Sequence, residues 1–285
     1  GGYTSPTFTN VIQYINIAST GNAADFGDLN ALLQDPMAVA SRTRGISGGG
    51  LPWPSPTYVN TIQAVTISST GDAVDVGDLT VARKAAAPMG NSTRGLFAGG
   101  DTPSTVNTID YITIASAGDA KDYGDLAAAT GISAGCASPT RGLQAGGSPG
   151  VNTIQYVTIS TLGNAADFGD LSGGQRRGAS GCSNAVRGMW CGALPAFTSV
   201  DYSTIASLGN TVDFGDTTNS AWLHAGMASP TRALFAGGYS PTANVGYNNI
   251  DYYQIATTSN AIDFGDLTNV RHHFTGTSNG HGGLG

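Results

Sequence analysis

Between Asn107 and Ser116 the chain reads NTIDYITIAS, in which Ile109 and Tyr111 point to one side of an extended strand and Ile112 and Ile114 to the other. Both faces are apolar, as expected of a strand whose sheet is packed between two neighbours. Nearly the same run returns as NVIQYINIAS from Asn10, NTIQAVTISS from Asn60, NTIQYVTIST from Asn152, SVDYSTIAS from Ser199 and NIDYYQIATT from Asn249. Each copy leads into an Asp-x-Gly-Asp element, whose first Asp is Asp25, Asp75, Asp122, Asp167, Asp213 or Asp263.

A second phrase precedes these runs: RTRGISGGG (Arg42–Gly50), STRGLFAGG (Ser92–Gly100), PTRGLQAGG (Pro139–Gly147), AVRGMWCGA (Ala185–Ala193) and PTRALFAGG (Pro230–Gly238). One unit therefore offers four strands. They are a small-residue strand such as GISAGCAS (Gly131–Ser138), the Arg-Gly strand, the alternating strand, and a short one such as AKDYGDLA (Ala120–Ala127). Internal repetition at this period predicts an all-β, six-bladed β-propeller with four antiparallel strands per blade. The whole of 1–285 is then one domain of repeats of about 47 residues.

The ends continue the period, because Asp263 lies 22 residues before Gly285 and Asp25 lies 25 residues into the chain, one more unit of 47. Joined, NGHGGLG (Asn279–Gly285) and GGY (Gly1–Tyr3) read as a worn STRGLFAGG with His281 in the Arg place. The expectation is a ring closed by pairing N- and C-terminal strands in one blade, shared by residues 1–30 and 270–285.

The double glycine after a short apolar strand, followed by an alternating strand, resembles kelch repeats. The fourth-strand Trp of that family is replaced here by Phe26, Val76, Tyr123, Phe168, Phe214 or Phe264. The wording TRGLFAGG, NTIDYITIAS and DFGDL is most similar to kelch-like repeat proteins in virions of tailed phages from aquatic bacteria. That resemblance covers the whole chain. It implies a virion structural protein, such as a tail-fibre or decoration component, whose partners are other virion or surface-structure proteins.

Composition agrees with an all-β chain: Gly numbers 42, there is no Glu, and the only lysines are Lys84 and Lys121. A hydrophobic content of 40% supports a sizeable core. The net charge of −7 disfavours nucleic acid as a partner, and no apolar run of about 18 residues predicts membrane insertion. No secretion signal is recognisable, and the chain starts at Gly1 without Met, which leaves room for an upstream segment.

The repeated polar residues read as structural. Twelve of the nineteen acidic residues lie in the Asp-x-Gly-Asp elements, where Asp and Gly suit a turn better than a Ca²⁺ loop. The repeated Arg44, Arg94, Arg141, Arg187 and Arg232 are expected to tie each blade to an adjacent Asp turn. Cys136, Cys182 and Cys191 fall at positions where other units carry small or apolar residues, which predicts buried thiols. The pair His272–His273 has no third ligand in view, and no metal or cofactor is implied.

Binding is expected where the units disagree. The loops after the double glycine (51–59, 148–151, 239–248) and after the Asp element (80–86, 172–178, 218–224, 268–274) leave one end of every blade. They collect Trp53, Tyr58, Arg83, Arg176, Arg177, Phe197, Trp222, His224, Tyr239 and His272 as a candidate ligand-binding face. Aromatics beside polar groups suit a host-surface glycan or a protein partner, and a homo-oligomer is compatible with the same surface. The expected function is a non-enzymatic adhesion or structural module, extracellular or on a virion surface. The alternatives are a glycan-processing enzyme on a propeller scaffold, for which Asp35 and Asp101 are the acid candidates, and an intracellular kelch-type peptide-binding adaptor.

Overall fold

The computed structural model describes residues 1–4, 6–116, 118–194 and 197–284. It is all-β, with one 3₁₀ turn at Gly282–Leu284 among the described residues, and its sheets are arranged as a β-propeller. Four blades have four antiparallel strands each, and a fifth has the same four plus a short added strand, Leu33–Gln34, paired with Leu51–Pro52. The second blade, as an example, runs Ala87–Gly90, Arg94–Ala98, Thr108–Thr113 and Lys121–Asp125, paired in chain order. The others begin at Met37–Ala40, Ala134–Ala137, Ser180–Ser183 and Ala225–Ala228.

The packing follows the two-faced pattern of the third strand. Ile112 and Ile114 pack with Met37, Val39 and Ile62 of the preceding blade, while Ile109 packs with Val157 and Ile159 of the following one. The first strands surround the axis at close quarters. A Cβ added to Gly135 would lie 2.1 Å from the Pro88 carbonyl oxygen, and one added to Gly226 would lie 2.3 Å from that of Gly181. Small residues are needed there because neighbouring backbones touch.

The Asp-x-Gly-Asp element is the joint between units. A Cβ on its Gly124 (φ +145°) would lie 2.5 Å from the Gly163 carbonyl of the next unit. The Asp125 amide donates to Asn164 Oδ1, and the Ala165 amide to the Asp125 carbonyl. The same contacts recur around the ring and across the chain ends, where the Asp266 amide donates to Asn22 Oδ1 and the Ala23 amide to the Asp266 carbonyl. The first Asp of each element, Asp25, Asp75, Asp122, Asp167, Asp213 and Asp263, is exposed. The capping oxygen between units thus comes from the Asn or Asp of the next unit's turn, while Asp75 caps the Gly77 amide of its own element.

Each repeated arginine also reaches the next unit, by a different route from the expected one. Arg44, Arg94, Arg141, Arg187 and Arg232 donate to the main-chain carbonyls of Ile114, Ile159, Ile205, Ile255 and Ile17 rather than to an Asp turn. Four of them lie over a tyrosine of their own third strand, as Arg94 does over Tyr111 at 4.9 Å. A guanidinium can serve both partners at once, one through its edge and one through its face.

Among the described residues the expected sixth four-stranded blade and its strand closure are not formed. The sixth position holds a two-stranded sheet, Val11–Tyr14 with Ala24–Asp28, whereas the other five hold four strands or, in one case, five. The C-terminal residues do not pair with Val11–Tyr14. They cross the end of the axis instead: His281 Nε2 contacts the Ala40 carbonyl at 2.8 Å, and Arg42 donates to the Leu284 carbonyl. His281 therefore does not take the place of the repeated arginine. Glycine-rich Gly280–Gly283 offers little apolar surface with which to hold a strand, and Gly285 lies outside the described residues.

Candidate functional site

The two families of variable loops do meet at one end of the propeller. Isolated antiparallel bridges join them: Lys84 to Asp101, Gly131 to Ser148, Arg177 to Leu194, Trp222 to Tyr239, and His272 to Tyr3. The 1–2 turns and the ends of the third strands gather at the other end, where the Ile114 amide donates to the Thr93 carbonyl.

Inside the variable end lies a ring of six residues, linked in turn by five backbone hydrogen bonds. The Asp35 amide donates to the His273 carbonyl, Ala85 to Asp35, Ile132 to Ala85, Gly178 to Ile132, and Leu223 to Gly178. All six residues have positive φ, between 50° and 74°. Five of them are not glycine, and such left-handed residues persist only where surrounding contacts enforce them. Below this ring the axis widens into a cavity of about 90 Å³ bordered by Asp35, Ile132, Ser133, Leu223 and Phe274.

The ring sets a charged cluster at the mouth. Asp35 accepts from Lys84 Nζ at 2.9 Å and faces His273 Nδ1 at 2.7 Å. Burial alone would raise the Asp35 carboxyl, but His273 and Lys84 overcome it and hold the group well below the usual carboxylate range. Asp101, on the other side of Lys84, is pushed up by burial against the pull of that lysine. Asp35 and His273 occupy the same repeat position in adjacent units, so alignment of the units places them side by side. Lys84 follows from the same alignment, one position earlier in the next unit.

An aromatic belt lies around the mouth. His272 sits between Tyr3 and Tyr239, 4.9 Å from each ring, and Phe8 packs on Trp53 at 5.3 Å. Trp53 is 54% exposed. Trp222 is half-buried, edge-on to His273 at 6.0 Å and against Gly178, so it covers the mouth ring. His272 and His273 lie side by side at 5.0 Å in a loop, not on opposite faces as a strand would place them. Among the described residues no three His, Cys, Asp or Glu side chains converge as metal ligands would.

Four candidates for the face are buried rather than open on it: Arg83, Arg176, His224 and the belt residue His272. Arg83 and Arg176 are fully buried, paired with Asp110 at 3.1 Å and Asp201 at 2.9 Å. Arg176 also lies over half-buried Phe197, 5.3 Å from its ring. His224 is buried, with Cys191 Sγ 3.9 Å from its Nδ1, and burial pushes it down to about 4. Tyr58 and Tyr239 are half-buried, while Arg177 is exposed.

The misplacement of the arginines has a signal in the sequence. Third strands carry Asp or Gln at one repeat position, and that side chain accepts from the preceding unit: Asp110 from Thr80 N, Gln63 from Asn30 N, and Gln155 from Ala127 N. The acid stands where the preceding loop supplies Arg83 or Arg176 and Gln where it supplies Leu33 or Thr130, but Asp251 follows Ala221 and Gln13 follows Arg271, so the signal holds in four of the six units.

The chain matches no protein-family model and no curated protein sequence. No helix among the described residues is long and apolar enough to cross a membrane.

Proposed function

We propose that this protein is a non-enzymatic adhesion or structural module that recognises a glycan or a protein partner through its variable-loop end. The observation that carries the reading is Trp53. A large aromatic more than half exposed, seated on Phe8 beside the Tyr3–His272–Tyr239 belt, provides a stacking surface where the units differ most. The opposite end exposes Leu162, Val186 and Leu208 in turns that repeat from unit to unit.

The setting is a virion or another extracellular surface structure, on the strength of the kelch-like phage wording of the repeats. The low charge and the scarcity of lysine suit an exposed, durable particle component. A catalytic reading would use Asp35 and Asp101 on either side of Lys84. Asp35 is held ionised by two partners, which leaves it no proton to donate as a general acid, so that role would fall to Asp101, whose carboxyl burial pushes up. Nor do the kelch-like repeats require a complete sixth four-stranded blade for such a role, because the variable loops meet through bridges at the sixth position too, at Tyr3 and His272.

The test is binding of the full chain to a glycan panel and to candidate host cells, beside a Trp53→Ala variant with an unchanged melting curve. Binding abolished or weakened at least about tenfold in the variant supports the assignment. Equal binding by both removes Trp53 and this end of the molecule from the account.

A further inference from the structure

One residue per unit stands just outside the mouth ring and forms its rim: Gln34, Lys84, Gly131, Arg177, Trp222 and His272. Gly131 has no side chain to offer, and Asp101 from the preceding loop fills its place. A Cβ added to Gly131 would run into Asp101 Oδ1. The carboxylate thus stands between Lys84 and Arg177, both of which attract it. Lys84 is already committed, because its Nζ donates to Asp35 at 2.9 Å. Among the described residues no hydrogen bond reaches the half-buried Asp101 carboxylate.

The two halves of the rim differ. Lys84, Asp101 and exposed Arg177 make one half polar, and the ring residues beside them, Ala85 and Ile132, are apolar and half-buried. Trp222, His272 and His273 make the other half aromatic, with Trp222 edge-on to His273 at 6.0 Å. From there ring contacts run outward without a break. His273 meets His272 at 5.0 Å, His272 meets Tyr3 at 4.9 Å, Tyr3 meets Phe8 at 5.1 Å, and Phe8 meets Trp53 at 5.3 Å.

A pyranose presents the matching pattern: a C–H face that packs on apolar or aromatic surface, and hydroxyls that both donate and accept. A carboxylate has lone pairs for two adjacent hydroxyls at once, and a guanidinium donates to their oxygens. Charge then selects among sugars. Lys84 and Arg177 cancel Asp35 and Asp101, and the chain as a whole carries −7. An acidic sugar would set its carboxylate beside Asp101, and an amino sugar would set its ammonium between Lys84 and Arg177. Like charges set side by side disfavour both.

We propose that the mouth is a subsite for one neutral sugar residue with two adjacent free hydroxyls, which donate to the Asp101 carboxylate. Arg177 donates to a hydroxyl oxygen of the same residue, and the sugar's C–H face lies against Ala85 and Ile132. Trp53, at the outer end of the aromatic run, stacks on a further residue of the same glycan. The inference rests on the glycan reading of the variable end and names the class of sugar it takes.

The test is saturation-transfer NMR of the full chain with the methyl glycosides of glucose, galactose, mannose, glucuronic acid and glucosamine. Saturable binding of at least one neutral glycoside is expected, at least about tenfold tighter than either charged one. Asp101→Asn is expected to weaken it at least about tenfold and Arg177→Gln at least about threefold. Arg177 is exposed, so its variant reports on the site even where Asp101→Asn lowers stability. Trp53→Ala is expected to leave the affinity for a single sugar within about twofold. Equal binding by the Asp101 and Arg177 variants, a preference for a charged glycoside, or no binding of any of the five overturns the proposal. The reading of the variable end fails separately, when Trp53→Ala leaves binding to whole glycans and cells intact.

Discussion

Arg83 and Asp110 face each other at 3.1 Å across two repeat units, and neither side chain is accessible to solvent. Asp110 also accepts from the Thr80 amide and hydroxyl, so the pair is stitched into the joint between the units. Breaking such a pair strands a buried charge, whereas replacing both partners does not. Asp110→Asn is expected to cost about 3–5 kcal/mol in denaturant unfolding. The double change Arg83→Leu/Asp110→Gln copies the Leu33–Gln63 pairing of another joint and is expected to recover most of that loss. Additive losses in the two single and the double variants would contradict the coupling.

Arg94 binds the Ile159 carbonyl at 2.9 Å while lying over Tyr111. Lysine carries the charge but lacks the planar group that serves both contacts. Arg94→Lys is expected to cost about 1–2 kcal/mol and to lower Tm by about 2–6 °C. An unchanged melting curve would show that the charge alone suffices.

Burial pushes His224 down to about 4, and burial with the neighbouring His273 does the same to His272. The folded state thus resists protons that the unfolded chain takes up near pH 6.5. Stability is full above about pH 6.5 and falls as the pH drops towards 4. A Tm series from pH 7.5 to 4 is expected to decline over that window and to flatten in His224→Gln. Identical slopes for both proteins would show that His224 stays uncharged for no energetic reason.

All three cysteines are buried. Burial pushes the Cys182 thiol up to about 12 and the Cys136 and Cys191 thiols further above their ordinary range. A thiol reagent at pH 8 is expected to leave the folded protein unlabelled and to modify all three after denaturation. Rapid labelling of the native protein would mean that the interfaces around Cys136 and Cys182 open.

The fold was legible because the period of Ile109, Tyr111, Ile112 and Ile114 states which neighbour each side chain meets, and the structure keeps those assignments. The two ends of the propeller followed from comparing loops that differ with turns that do not. The sequence misled where a polar residue's partner belongs to another unit. Arg83 and Arg176 read as loop arginines until Asp110 and Asp201, one unit on, are seen to cover them. The expected strand closure rested on arithmetic: residues 279–285 complete the period, yet Gly280–Gly283 lack apolar side chains like the buried Leu96 and Phe97.

The central claim is that binding belongs to the variable end. Its most direct test replaces Leu51–Val59, which carries Trp53 and Tyr58, with the short Ser148–Val151 loop that another unit uses at the same place. The grafted chain is expected to melt within about 2 °C of the original, because that loop already closes an intact blade. It should lose binding to whichever glycan or surface the original recognises. Undiminished binding by a well-folded graft would contradict the account.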